Sequence, residues 1–170
     1  MRVAGGPATV GASHRSPAMT RPIGTLAPEE RAAMSGLDFM RAVVDGTAPQ
    51  VPMHVHLGFT LVRADPGLAG FVGAATEECL NPMGGVHGGW YASLLDSAMG
   101  CALMTTLPQG TSFTTLEFKL NMMRAVRPGD PVTAEGRVIH GGRRTAVVAA
   151  EITAEGRTVA AATGTCLILS

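Results

Sequence analysis

Residues 81–104, NPMGGVHGGWYASLLDSAMGCALM, constrain the fold more than any other stretch. A polar, glycine-rich turn carrying Asn81, Gly84, Gly85, His87, Gly88 and Gly89 runs straight into an apolar helix. Trp90, Tyr91, Ala92, Leu94, Leu95, Ala98, Met99, Cys101, Ala102 and Leu103 make that helix apolar almost all round. Such a helix belongs inside a core, not on a surface. Asp96 sits in its middle, where a carboxylate costs free energy unless paired, hydrogen-bonded or protonated. Asp96 also lies nine residues after His87. At about 100° and 1.5 Å per residue it is roughly half a turn out of phase and ~13 Å along the axis. Asp96 therefore does not meet its own helix start. If the two act together, Asp96 of one chain faces the Gly88 turn of another.

The segments around this helix alternate as strands. Phe59 to Ala64 and Ala69 to Glu77 flank the Asp65-Pro66-Gly67 turn. Beyond the helix, Thr111 to Arg124 alternates, with Leu116, Phe118, Leu120 and Met122 on one face and Thr115, Glu117, Lys119 and Asn121 on the other. Val132 to His140, Thr145 to Thr153 and Thr158 to Leu169 complete four consecutive strands. These imply an antiparallel sheet wrapped around one helix, an α+β architecture.

Asn81, then His87 with Gly88 and Gly89, then Asp96, together resemble the signature of hotdog-fold acyl-CoA thioesterases. The nearest branch is the phenylacetate-degradation (PaaI-like) thioesterases, and the resemblance covers about residues 57–169. It implies the hotdog fold, with one long central helix in an antiparallel sheet. It also implies hydrolysis of a medium-chain or aromatic acyl-CoA without a cofactor, in a homodimer with shared active sites that pairs into a homotetramer. By the same resemblance the Gly88 N–H holds the thioester oxygen, and His87 orients the turn or assists near the sulfur. Asn81 binds the carbonyl or a water. Asp96, from the facing subunit, is nucleophile or general base. Thr114 supplies a hydroxyl that positions carboxylate or water.

The chemistry asked of these residues is sound. Free N–H groups and the positive dipole end at a helix start stabilise a developing oxyanion. Glycine lets a substrate approach that backbone closely. The blander roles are capping by His87, close packing at the glycines and a purely structural buried acid at Asp96. Trp90, Tyr91 and Leu95 either shape an acyl cavity or pack the core. Arg143 and Arg144, in a glycine-flanked loop, are candidates for coenzyme A phosphates. Competing readings are a hotdog hydratase or dehydratase, whose pattern lacks His-Gly-Gly before the helix, and a non-catalytic acyl-thioester binding module.

Charge and cysteine content narrow the field further. Lys and Arg number 13, as do Asp and Glu, so nothing draws the whole chain toward nucleic acid or an acidic membrane. Cys79, Cys101 and Cys166 are an odd number without metal-type spacing, which fits a reducing, cytoplasmic setting. No apolar run has the length of a membrane span. The chain divides into a disordered tail (1–24, with Met19 a second possible start), a helical segment (25–56) and the hotdog domain (57–170). Within 28–45, Leu37, Met40, Val43 and Val44 form a stripe, with Gly36 a break and Gly46 a cap. That helix either packs on the surface or forms a lid through Phe39 and Met40. His54 and His56 share a face if the prolines around them keep the backbone extended. A metal there needs a further ligand such as His87 or His140, and none is expected.

Overall fold

The computed structural model describes residues 21–169. The reading of residues 1–20 as tail, and of Met19 as a start, lies outside them. Residues 21–24 are held in place. Ile23 bridges Gln50, and the Arg21 guanidinium donates to the Val43 and Val44 carbonyls at 3.4 and 3.1 Å.

Three short helices precede the sheet: α1 (Pro28–Ala32), α2 (Gly36–Asp45) and α3 (Pro52–His56). The break between the first two comes from Ser35, whose hydroxyl accepts from the Asp38 N–H and caps α2; Gly36 is the first residue of α2. Gly46 ends α2 at φ 81°, a left-handed conformation that suits glycine. Met40 and Val43 are buried in the core, so α2 packs against the domain through the expected stripe. The condition for a shared histidine face is not met: the segment around His54 is one helical turn, started by Pro52 at a position where its missing N–H costs nothing. His54 and His56 therefore do not share a face.

The six strands are β1 (Phe59–Asp65), β2 (Leu68–Gly73), β3 (Ser112–Met122), β4 (Val132–Gly141), β5 (Thr145–Ala154) and β6 (Arg157–Leu169). They form one antiparallel sheet in the order β1-β2-β4-β5-β6-β3. The second strand stops at Gly73, short of Glu77; residues 74–76 are irregular and Glu77–Cys79 form a 3-10 helix. The sheet wraps the long helix α4 (Gly88–Met104). This is the hotdog fold. Leu94, Leu95, Ala98, Ala102 and Leu103 are buried with Phe71, Val148, Ile152 and Ala160 in a single core.

Two details seat the helix. A Cβ on Gly136 of β4 would overlap the Ala98 carbonyl, so this glycine sets how closely helix and sheet approach. At the far end of α4, the Thr105 hydroxyl donates to the Ala102 carbonyl at 2.6 Å and accepts from the Gly67 N–H at 2.8 Å. The end of α4 is thereby tied to the β1–β2 turn. Among the described residues, no helix is long and apolar enough to cross a membrane.

β3 departs from simple alternation. Its pairing with β6 slips between Thr115 and Glu117, a β-bulge. The expected inward face of 116, 118, 120 and 122 holds only from Phe118 onward. Before the bulge the phase reverses. Leu116 is 55% exposed, whereas Phe113 reaches Gly100 of α4 and Thr115 reaches Asp96.

Candidate active site

The start of α4 is built by the turn before it. The Asn81 side-chain carbonyl accepts from the N–H groups of Met83 and Gly85 at 2.9 and 3.2 Å. The Asn81 N–H donates to the Gly85 carbonyl, and the His87 N–H to the Cys79 carbonyl, each at 2.8 Å. Gly84 takes φ 80° to close the loop. Asn81 thus spends its oxygen on the turn and keeps its side-chain NH2 free of partners among the described residues.

His87 is the N-cap. Its Nδ1 accepts from the Gly89 N–H at 2.8 Å, which places the proton of the neutral ring on Nε2. Its backbone carbonyl accepts from the Trp90 N–H at 3.0 Å. Gly88 is left as the first-turn residue whose N–H has no partner among the described residues. No acidic side chain stands in that turn, so the positive end of the dipole faces outward without an in-chain carboxylate. Capping and an unpaired N–H coexist here: His87 braces the turn, and Gly88 is what the brace leaves open.

Asp96 is partly buried on the same helix, eight residues beyond Gly88 and thus ~12 Å along the axis. The Thr115 hydroxyl donates to Asp96 Oδ1 at 3.0 Å. Thr114, the neighbour named from the sequence, is exposed; the hydroxyl on Asp96 belongs to Thr115. The signal that would have found it is the bulge, and simple alternation conceals a bulge.

Two thiols flank the carboxylate. Burial, helped by the Asp96 charge, pushes the Cys101 thiol up to about 12. Cys166, opposite Thr115 on β6, is raised by burial, pulled the other way by the Thr115 hydroxyl and raised again by the charges of Asp96 and Glu117. Both stay protonated near neutral pH, so neither thiol offers a thiolate beside Asp96.

The other sequence candidates are placed elsewhere. Trp90 and Tyr91 are 2% and 3% exposed, and Leu95 is fully buried. Trp90 donates from Nε1 to the Leu57 carbonyl at 2.8 Å, and the Tyr91 hydroxyl accepts from the Val126 N–H at 3.0 Å. In the described chain all three pack the core, with each polar tip tied to backbone. Arg143 and Arg144 are exposed and border a shallow depression with Leu167, Ile168 and Leu169. Strand register puts them at the Asp96 end of the sheet, because Thr145 pairs with Leu167 next to the Cys166–Thr115 pair. Among the described residues no group of three His, Cys, Asp or Glu side chains is arranged to hold a metal ion. His54 instead packs its ring against Phe59 and Phe71, with centroids 5.1 and 5.2 Å away. Burial lowers its pKa to about 4.

The match to known proteins falls on this region. The thioesterase superfamily profile covers residues 83–161, from the helix-start turn into β6. A thioesterase structure from Ralstonia eutropha JMP134, described as phenylacetic acid degradation-related, is 31% identical. It superposes with a TM-score of 0.69 over 76% of this chain and 98% of its own. The chain belongs to the PaaI-like thioesterases. Acyl-coenzyme A thioesterase PaaI of Escherichia coli is 31% identical over 96 residues, 56% of this chain and 66% of that protein, just under two thirds of its length. A thioesterase protein of Streptococcus pneumoniae solved with coenzyme A is 27% identical, with a TM-score of 0.61 over 66% of this chain and 89% of its own.

Proposed function

We propose that this PaaI-like thioesterase hydrolyses acyl-CoA thioesters at sites shared between two copies of the chain. One observation carries the reading. The unpartnered Gly88 N–H and the Thr115-held Asp96 carboxylate lie ~12 Å apart along a single helix, out of phase, so they meet only across two chains. The coenzyme A seen in the Streptococcus relative supports the choice of thioester.

In this reading the thioester oxygen accepts from Gly88, where the helix dipole adds to the hydrogen bond as negative charge develops. The free NH2 of Asn81 stands in the same turn as a second donor, to the oxygen or to a water. Asp96 of the other copy acts as general base. Thr115 holds Oδ1, and Oδ2 takes a proton from water as the water oxygen adds to the carbonyl carbon. Collapse of the tetrahedral intermediate breaks the C–S bond. The acid and the coenzyme A thiol leave, and the proton returns from Asp96 to the thiolate. Arg143 and Arg144 bind the nucleotide phosphates from the Asp96 end of the sheet. The acyl group is medium-chain or aromatic.

The long edge strand β3, 11 residues with an unpaired outer side, is the natural place for the second copy to join. The dimers then pair into a tetramer in the cytoplasm, where acyl-CoA is found.

Thiol release from a panel of aromatic and aliphatic acyl-CoAs tests the reading with two variants. Asp96→Asn keeps the shape and removes the base. Gly88→Pro removes the N–H and adds a ring whose Cβ stands 3.4 Å from the Met122 thioether, an ordinary van der Waals contact: proline is tolerated at the first helical position, and His87 already has φ −64° and ψ 139°, the conformation a following proline favours. Each is expected to lower kcat by about 100-fold or more with the fold intact. Tight binding of acyl-CoA without turnover by the wild type would instead make the chain a binding module.

A further inference from the structure

Beside the free Gly88 N–H lies a side chain that neither the motif nor the chemistry above uses. Met122 ends the inward row of β3 that begins after the bulge, following Phe118 and Leu120. Those two pack against the core, but at Met122 the core has given out and the residue is 56% exposed. Its Sδ and Cε lie 3.4 Å from where a Gly88 Cβ would stand. The thioether therefore crosses the first turn of α4 within about 6 Å of the Gly88 nitrogen.

We propose that Met122 sets the acyl specificity of the site by limiting branching next to the carbonyl, not by limiting chain length. The inference rests on the thioesterase reading above. A carbonyl oxygen accepting from Gly88 sits about 3 Å from that nitrogen. The atoms attached to the carbonyl carbon then come within van der Waals reach of the thioether. Of the two arms on that carbon, the apolar acyl arm matches Met122. The pantetheine arm carries amides whose hydrogen bonds a thioether meets poorly. Because Met122 stands at the carbonyl anchor, it touches the first acyl carbons and never reaches the far end. An unbranched first carbon slides past it, whereas a methyl branch there collides. The methionine side chain is flexible, so the wall yields in part and discrimination is graded.

The experiment compares kcat/KM for butyryl-, isobutyryl- and hexanoyl-CoA in the wild type, Met122→Ala and Met122→Leu, with thermal melting to confirm folding. Met122→Ala is expected to raise the isobutyryl-to-butyryl ratio about tenfold, the scale of one methylene-sized contact in a pocket, while the hexanoyl-to-butyryl ratio stays put. Met122→Leu keeps the bulk and is expected to keep both ratios near wild type. If Met122→Ala leaves the branching ratio unchanged, or moves the length ratio instead, this inference falls and the thioesterase reading stands. If the wild type turns over none of a wider acyl-CoA panel, that reading falls and takes this inference with it. Should Met122→Ala fail to fold, Met122→Thr carries the same comparison, because it also removes most of the side chain's length while keeping a residue that suits a strand.

Discussion

Replacing Thr115 by valine removes one hydroxyl and almost no volume. That hydroxyl donates to Asp96 Oδ1 at 3.0 Å, and Asp96 has no other side-chain hydrogen bond among the described residues. A hydrogen bond to a charged group contributes about 1.5–3 kcal/mol. If the bond holds Asp96 in its working orientation, Thr115→Val lowers kcat/KM for an acyl-CoA by that amount, about 10- to 150-fold. Asp96 is only partly buried and water partly replaces the lost partner, so the lower end is expected. Thr114→Val is the internal control. Thr114 is exposed and makes no bond to Asp96, and its removal is expected to change kcat/KM less than about threefold, the scale of an ordinary surface change. The assay is continuous thiol release, with thermal melting alongside so that a folding defect is not mistaken for a catalytic one. Full activity in Thr115→Val, or a larger loss in Thr114→Val, would refute the assignment of Thr115 as the residue that positions Asp96.

Three further outcomes follow from other parts of the molecule. His54 has its pKa lowered from 6.5 to about 4 by burial, so the unfolded chain takes up its proton first as pH falls. Stability is full above pH 6.5 and is lost between 6.5 and about 4 by up to ~3 kcal/mol. Melting across that range, steeper in wild type than in His54→Phe, checks it. Cys101, with its thiol pushed up to about 12, is expected to resist iodoacetamide at pH 8, as read by mass spectrometry of the native protein. Gly136→Ala drives a methyl into the Ala98 carbonyl and is expected to cost ~1–3 kcal/mol, a drop of several degrees in Tm, since helix and sheet must separate.

Much of this molecule was legible in its sequence, because the determining signals are local. The apolar run after His-Gly-Gly reads directly as a buried helix, and His87 caps it as side chains at helix starts do. The strand periods and the Asp65-Pro66-Gly67 and Glu155-Gly156 turns give five of the six strands within about two residues, the usual scale of boundary differences. What was hidden depends on pairing between distant segments. Thr115 turns inward only because β3 slips against β6, and strict alternation had assigned it to the outer face. The sequence leaves Trp90 and Tyr91 between an acyl cavity and the core, and the choice falls to the core only through their polar tips, bonded to Leu57 and Val126, backbone partners far away in the chain. Whether His54 and His56 share a face turns on the backbone between the prolines, and Pro52 settles it by starting a helical turn. The position of β3 at the sheet edge beside β6, away from β4, follows from no local pattern.

The central claim is that Gly88 of one chain works with Asp96 of another. Mixing two inactive variants tests it most directly. Asp96→Asn and Gly88→Pro, each with negligible turnover alone, are co-expressed and thiol release is measured. In a hybrid dimer with shared sites, one site pairs the intact Gly88 of the first chain with the intact Asp96 of the second. Statistical pairing should then restore about a quarter of wild-type activity. Activity no higher in the mixture than in either variant, from hybrids shown to form, would contradict the shared site.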